Sequence, residues 1–235
     1  MMADGTGQAP LQPDPVVLAI DVGGSHVKIK SSASDEERRT ASGPTMTATQ
    51  MVKAVKTLAK GLDFEVVSIG YPGPVHHGRP VVDPANLGKG WAGFDFRARF
   101  GKPVKIVNDA LMQGIGSYQG GRMLFLGLGT GLGAAMIVDN VAQPMEIAHL
   151  PYKKDRSFED YVGERGLVAR GPKKWRASVF DVVERLKLAL EPDYVVIGGG
   201  NVKKLDSLPD GCRRGDNRLA FAGGFRLWQD KTLVV

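Results

Sequence analysis

The stretch Asp21-Val-Gly-Gly-Ser-His-Val-Lys28 follows an apolar run at 16–20 and has a counterpart further along the chain. Leu126-Gly-Leu-Gly-Thr-Gly-Leu-Gly133 lies in the same way between apolar runs at 123–126 and 134–138. Glycines between two strand-like runs predict a hairpin turn with exposed backbone N–H groups, and such turns can form anion-binding concavities. Two of these turns facing each other across a cleft would hold a chain of phosphates from both sides. That arrangement points to phosphoryl transfer.

The segments outside the two turns alternate between strands and helices. Short runs of branched apolar residues predict three further strands, and apolar residues at helical spacing predict three helices. The strands are 66–69, 104–107 and 194–197, and the helices are 46–60, from Asn108-Asp109 to about 118, and 177–190. Residues 75–103, rich in Gly and Pro, predict a long surface loop of the kind that is usually functional. The alternation is typical of an α/β protein.

The composition bounds the class of protein. A chain of 235 residues that is 43% apolar can bury one large core or two small ones. No apolar run reaches the length of a membrane span and no signal-peptide pattern opens the chain, so we expect a cytoplasmic protein with no membrane partner. Cys212 is the only cysteine, which excludes a disulfide framework and argues against structural zinc. Residues 1–15 predict a flexible tail.

The formal net charge of +6 is concentrated in clusters at residues 97–105, 153–176 and 203–218. Such clusters suit a polyanion, whether nucleic acid, membrane surface or polyphosphate, although solvated helix faces explain any single cluster equally simply. No aromatic residues interleave with the charges in a stacking pattern, and we therefore expect no nucleic-acid partner.

Six short motifs occur in order along the chain. They are Asp21-x-Gly-Gly-Ser-x-x-Lys28, Gly70-x-Pro-Gly73 with Asn86-Leu87, Asn108-Asp109, Gly127-x-Gly-Thr-Gly-x-Gly133, Glu146-x-x-His149 and Gly198-Gly-Gly200. In this order and spacing they resemble the ROK-family sugar kinases. Within that family, the stretch Trp175 to Lys204 is most similar to the polyphosphate glucokinase branch. The resemblance implies two ribonuclease-H-like lobes around a central cleft, as in the superfamily of actin-like ATPases and sugar kinases.

The resemblance also implies how the chain is divided. The N-terminal lobe, 16–107, would form the phosphate and sugar side, and the C-terminal lobe, 108–235, would carry the catalytic Asp, the second phosphate loop and the donor site. Leu219 to Leu227 predicts a helix that returns toward the first lobe, and Gly223-Gly224 would weaken it. Members of this family are expected to be homodimers.

On the sugar side, the resemblance makes Asp109 the general base that takes the proton of a sugar hydroxyl. The alternative is that Asn108-Asp109 only caps the following helix, because both residue types are favoured there. The proposed sugar ligands are Asn86, Asn108, Asp109, Glu146, His149 and Glu164. Glu-x-x-His is also a possible metal fragment. Glu164 has an alternative as an exposed residue paired with Arg165 or Arg170.

On the donor side, the resemblance places Asp21 opposite the terminal phosphate and Mg²⁺, through water. The alternative is an Asp that satisfies the backbone N–H groups of its own turn, and Lys28 either reaches phosphate or faces solvent. The remaining donor-binding candidates are Gly23, Gly24, Ser25, Gly129, Thr130, Gly131, Gly198, Gly199, Gly200, Lys203 and Lys204.

The function that follows is phosphoryl transfer from polyphosphate, ATP or both to the 6-hydroxyl of glucose or a related hexose. An oxidoreductase is disfavoured because an apolar strand, rather than a helix, follows the degenerate dinucleotide fingerprint at Gly129-x-Gly131. The alternative within the family is a sugar-binding protein that has lost catalysis. The retained Asp109 argues against that alternative.

Overall fold

The computed structural model describes residues 13–235, which form two five-stranded sheets and two small two-stranded sheets, with helices packed on and between the larger two. The strands are β1 (Val17–Val22), β2 (His26–Ser31), β3 (Glu37–Ala41), β4 (Val66–Tyr71), β5 (Val75–His76), β6 (Arg79–Pro80), β7 (Val104–Asn108), β8 (Arg122–Leu128), β9 (Leu132–Val138), β10 (Val141–Met145), β11 (Pro151–Lys153), β12 (Arg156–Ser157), β13 (Tyr194–Gly198) and β14 (Cys212–Arg214). The α-helices are α1 (Ala48–Leu58), α2 (Phe96–Phe100), α3 (Asp109–Ser117), α4 (Phe158–Val162), α5 (Glu164–Leu190) and α6 (Leu219–Gln229), with short 3-10 helices at Ile147–His149 and Val202–Lys204.

The two five-stranded sheets share one plan. The first has the order β3-β2-β1-β4-β7 and the second β10-β9-β8-β13-β14. In each, two antiparallel pairings are followed by two parallel ones, and the central antiparallel hairpin encloses one of the two glycine turns. The α/β fold with two similar lobes is therefore confirmed.

Residues 75–103 are not the surface loop that their composition predicts. They contain the β5–β6 hairpin and α2, and they bury Trp91 completely and Phe96 almost completely. The Trp91 ring lies 5.8 Å from that of Tyr71, and its Nε1 donates to the Met46 carbonyl at 3.2 Å. Gly and Pro dominate this stretch because the chain turns repeatedly around a few large anchors, which have no periodic spacing. The segment is thus part of the first core.

The long helix of the second lobe begins earlier than predicted. The apolar pattern predicts its start at residue 177, but α5 runs from Glu164 with a break at Gly171, where φ is 74° and ψ is 162°. Pro172 follows, and proline is favoured in the first turn of a helix because it has no N–H to satisfy. Two helical segments therefore meet at Gly171-Pro172. Because the helix axis breaks there, the apolar spacing of the second segment does not continue into the shorter first one, and the sequence pattern reveals only the second.

Helices α3 and α6 pack against each other between the two sheets. A Cβ on Gly223 would lie 1.8 Å from the Met112 carbonyl oxygen, so only glycine allows this approach. On the other side of α6, the Ser68 hydroxyl of β4 donates to the Gly224 carbonyl at 2.6 Å. The glycine pair that weakens α6 in isolation is thus what lets it contact both α3 and the first sheet. No helix within residues 13–235 is long and apolar enough to cross a membrane.

Candidate active site

A cleft of about 420 Å³ opens between the lobes, a size typical of small-molecule sites. Both glycine turns, the start of α3 and the 3-10 helix 147–149 line it. Among the predicted site residues, the cleft brings together Asp21, Gly23, Gly24, Asn86, Asn108, Asp109, Gly129, Thr130, Gly131, Glu146, His149, Gly199 and Gly200. Ser25, Lys28, Glu164, Gly198, Lys203 and Lys204 lie outside its lining.

The two turns present unused donors to this cleft. In the first, the Gly23 N–H closes the hairpin onto the His26 carbonyl at 2.9 Å, and in the second Gly129 N–H donates to the Gly131 carbonyl at 3.1 Å. Within residues 13–235, the N–H groups of Gly24 and Thr130 make no hydrogen bond of their own. Both turns can therefore offer backbone N–H groups to an anion.

Asn108 caps α3, as the simpler sequence interpretation holds, and also lines the cleft. Its Oδ1 accepts from the Ala110 and Leu111 N–H groups at 2.9 and 3.2 Å, and its Nδ2 donates to the Gly73 carbonyl at 3.2 Å. These bonds leave one amide N–H for a ligand. The neighbouring Asp109 accepts from Ala110 N–H through Oδ1 at 2.8 Å, and its Oδ2 carries no hydrogen bond from residues 13–235. The cap thus fixes Asp109 with one oxygen free.

Asp109 has an environment that opposes its charge. Burial at the base of the cleft, and then the negative charge of Asp21, raise its pKa from the model-compound value of 3.8 to about 7. Backbone N–H groups act in the opposite direction, and Glu146 adds a further small increase. A carboxylate with a pKa near neutrality is suited to accept a proton at physiological pH.

Asp21 is partly neutralised by Lys28 on the facing strand. The Lys28 Nζ lies 3.8 Å from the Asp21 Oδ2, and the two residues are directly paired in the β1–β2 register. Burial nevertheless outweighs this cation and raises the Asp21 pKa. Lys28 itself does not line the cleft, so its effect there passes through Asp21.

Glu146 directly precedes the 3-10 helix 147–149, which follows β10, and His149 is its last residue. Both side chains are exposed to the cleft, while Ile147 and Ala148 between them are buried. The spacing of three residues on one turn therefore points both polar groups toward one side, as the motif predicts.

Comparison with known proteins supplies the affiliation of this chain. The profile of the ROK family matches residues 17–144, more than half of the sequence. The chain belongs to the ROK family. A polyphosphate glucokinase of Mycobacterium tuberculosis is 28% identical over 213 aligned residues, which cover 80% of this chain and 79% of the relative.

Two solved ROK-type structures share the fold. The crystal structure of an inorganic polyphosphate/ATP-glucomannokinase from Arthrobacter sp. strain KM has a TM-score of 0.78 at 22% identity, covering 91% of this chain and 97% of that chain. A ROK family glucokinase from Streptomyces griseus, in complex with glucose and AMPPNP, has a TM-score of 0.72 at 17% identity, covering 92% and 99%. Both likenesses confirm the two-lobed fold.

In this ROK chain, Glu164 supports the second turn from outside the cleft. Its backbone N–H donates to the Gly129 and Thr130 carbonyls at 3.1 and 3.2 Å. Its carboxylate accepts from Asn201 Nδ2 at 2.5 Å and lies 3.7 Å from Lys204 Nζ. Glu164 does not line the cleft, so its role as a sugar ligand stays a prediction, and its ion-pair partner is Lys204 rather than Arg165 or Arg170.

Glu159, at the start of α4, lines the cleft but is not among the site residues that the sequence predicts. Its Oε2 accepts from Leu132 N–H at 3.4 Å, and its Oε1 receives a hydrogen bond from Arg165 at 3.3 Å. The signal for it was present in Ser157-Phe-Glu-Asp160, a capping box that predicts a helix start close behind His149. Gln113 and Asn217, joined by a 2.8 Å hydrogen bond, are two further polar lining residues without a sequence signal.

The charge of the cleft fits a divalent cation. Four carboxylates line it, from Asp21, Asp109, Glu146 and Glu159, and no lysine or arginine of residues 13–235 does so. No cluster of three or more His, Cys, Asp or Glu side chains in that range has the geometry of a metal cage. Mg²⁺ commonly binds through one or two carboxylates together with substrate phosphates, and it would neutralise the negative charge of the carboxylates that line the cleft. The residues present therefore fit Mg²⁺.

Proposed function

We infer that this ROK protein is a sugar kinase that transfers a phosphoryl group from polyphosphate, ATP or both to the 6-hydroxyl of glucose or a related hexose. The observation that carries this proposal is the position of Asp109, a half-buried carboxylate with a pKa of about 7 between two turns with free N–H groups. A base for the hydroxyl and anion-binding turns for the phosphates are the two parts that phosphoryl transfer to an alcohol requires.

Asp109 acts on the sugar. Its free Oδ2 accepts the proton of the attacking hydroxyl as the new oxygen–phosphorus bond forms and the bond to the leaving phosphate breaks. The other hydroxyls of the hexose are held by polar side chains that line the cleft, which are Asn86, Asn108, Glu146, His149 and Glu159. Each of these polar groups would be left unpaired by a sugar lacking the matching hydroxyl, which provides selectivity.

The turns act on the donor. Backbone N–H groups at Gly24 and Thr130 hold the phosphates next to the transferred group, with Gly199 and Gly200 completing this side of the cleft. Mg²⁺, held by Asp21 through water, would neutralise charge on those phosphates. Because no lysine or arginine lines the described cleft, the donor's more distant phosphates meet cations only outside it, where Lys203 is exposed and Lys204 is paired with Glu164.

The resemblance supplies the rest of the proposal. We expect a cytoplasmic homodimer in which the lobes close around the sugar and expel water, so that the phosphoryl group is not lost to hydrolysis. Neither a nucleic-acid nor a membrane partner is part of this proposal.

The test is an assay of hexose 6-phosphate formation by the full chain with Mg²⁺, a panel of hexoses and either ATP or polyphosphate. Turnover should fall by about 10³-fold in Asp109→Asn, because the amide cannot accept the proton, while sugar affinity measured by calorimetry changes little. Sugar binding without turnover by the unaltered protein would contradict the kinase and support the inactive sugar-binding alternative.

A further inference from the structure

The outer face of the first lobe carries a second concave surface, the α1–α2 groove. It encloses about 460 Å³ between α1 and α2 and shares no lining residue with the cleft. Lys53 and Lys56, three residues apart, lie on one face of α1, and Lys60 follows just beyond its end. Arg99 of α2 faces them. At the helical rise per residue, the three lysines span about 10 Å.

The charge of this groove is unbalanced. All four cations are exposed, and no carboxylate lines the groove. Within residues 13–235, none of the four forms an ion pair, whereas cations elsewhere, such as Arg226 with Asp230, do so. Like charges at helical spacing repel and destabilise a helix. The cluster therefore lowers stability unless an anion neutralises it.

The groove offers hydrogen-bond donors to a ligand with regularly repeated negative charge. Its polar groups are ammonium, guanidinium and threonine hydroxyl groups. A single phosphate would engage one or two of them, whereas an extended chain of phosphates engages the whole row. Nucleic acid is disfavoured because bases need an aromatic platform. The one aromatic residue in the lining, Phe94, has the Arg99 guanidinium 5.8 Å above its ring.

We propose that the α1–α2 groove is a docking site for inorganic polyphosphate, separate from the catalytic cleft. The proposal rests on the proposed function for the identity of the polyanion, but binding itself requires no turnover. The cleft is lined by four carboxylates, which repel a long polyanion, so retention of the chain needs cations elsewhere. Docking at the groove holds the chain near the protein between encounters with the cleft, which raises its effective concentration.

The experiment compares two triple variants of the full chain, both made in the Asp109→Asn background so that no polyphosphate is consumed. One carries Lys53→Gln, Lys56→Gln and Lys60→Gln. The matched control removes three exposed lysines that lie outside the groove and the cleft, Lys89, Lys154 and Lys231, by the same substitution. Binding of long-chain polyphosphate and of tripolyphosphate is measured by calorimetry at several salt concentrations.

The groove variant should bind long-chain polyphosphate about tenfold more weakly than the control, and the slope of log affinity against log salt should fall by about 2, as expected for three lost cation contacts. Tripolyphosphate binding should be the same in both. Equal affinities of the two variants for the long chain would overturn the docking site. Single-stranded RNA that binds as tightly, with the same loss in the groove variant, would instead identify a nucleic-acid surface.

The outcome is separable from that of the proposed kinase activity. With Asp109 restored, the groove variant should phosphorylate hexose from ATP at the unaltered rate, because no groove residue lines the cleft. Long-chain polyphosphate should also raise the melting temperature of the control by more than that of the groove variant. If the unaltered protein shows no kinase activity, the calorimetric affinities and the melting temperatures still test the docking site, because neither requires turnover.

Discussion

The two lobes are built on one plan but carry different chemistry at their glycine turns. In the first lobe the charge lies on the strands of the hairpin itself, where Asp21 of β1 pairs with Lys28 of β2. In the second lobe the β8–β9 hairpin carries no charge near its turn, and α4 and α5 bring Glu159 and Glu164 to it from outside. The charge beside the glycine turn therefore comes from the hairpin's own strands in the first lobe and from packed helices in the second.

The cleft lies at the junction of the lobes, and residues of both line it. Asp109 begins α3, directly after the last strand of the first sheet, and its pKa is raised mainly by burial, then by Asp21 from one lobe and to a smaller extent by Glu146 from the other. Its environment thus depends on how the lobes are held together. Helices α3 and α6 pack against each other, and because α6 also contacts β1 and β4 while α3 contacts β8 and β9, this pair links the two sheets.

Gly223→Ala should have the largest effect, because it breaks the contact that both lobes share. The added Cβ would lie 1.8 Å from the backbone carbonyl of Met112, which cannot yield as a flexible side chain would. Overpacking of this kind destabilises by about 3 kcal/mol. Urea unfolding measures the loss, and Asp109 should be displaced with α3, so that hexokinase activity falls as well.

The matched control is Ala222→Ser, a half-buried position on the same helix that is not in the tight contact. It should change the free energy of unfolding by less than about 0.5 kcal/mol. Equal destabilisation by the two substitutions would show that α6 tolerates little anywhere, and the specific role of the α3–α6 approach would be lost.

The second effect concerns the charge that the two lobes impose on Asp109. Its folded-state pKa of about 7 exceeds the value of 3.8 expected in the unfolded chain, so the folded protein holds the proton more tightly. Stability from this group is present below about pH 4 and is lost as the pH rises to about 7. Asp109→Asn removes that loss and should raise the free energy of unfolding at pH 8, while turnover falls by about 10³-fold.

The free energy of unfolding of Asp109→Asn at pH 8 should exceed that of the unaltered protein by about 2 kcal/mol. This is half of the roughly 4 kcal/mol that corresponds to the full pKa shift of Asp109, because solvent reaches the cleft and screens the charge. Near pH 4 the two proteins should unfold at nearly the same urea concentration. A stability difference that does not change between these pH values would contradict the raised pKa. Addition of Mg²⁺ should narrow the difference at pH 8 by neutralising the same charge.

The features that the sequence predicts are those set by neighbouring residues, and the features that it does not predict are set by tertiary contacts. The β1–β2 and β8–β9 hairpins, α1 and α3 were predictable because each depends on a pattern within a few neighbouring residues. The burial of Trp91 and the early start of α5 were not, because the first is decided by contacts with distant strands and the second is masked by Gly171-Pro172. The place of Glu159 in the cleft lining was not predicted either, because it depends on how α4 packs beside the second glycine turn.

Glu159 and Glu164 therefore offer the finest test of the comparison, within the second lobe alone. Glu159→Gln should raise the KM for hexose about tenfold, or about 1.4 kcal/mol, because a neutral amide accepts a weaker hydrogen bond from a sugar hydroxyl than a carboxylate does. Glu164→Gln retains an acceptor for Asn201 and should change that KM less than twofold. Steady-state kinetics with the hexose varied measures both, and unchanged melting temperatures show that neither variant has lost its fold. If Glu164→Gln instead gives the larger rise in KM, sugar binding depends on the second glycine turn that Glu164 supports, and the assignment of Glu159 as a sugar ligand is wrong.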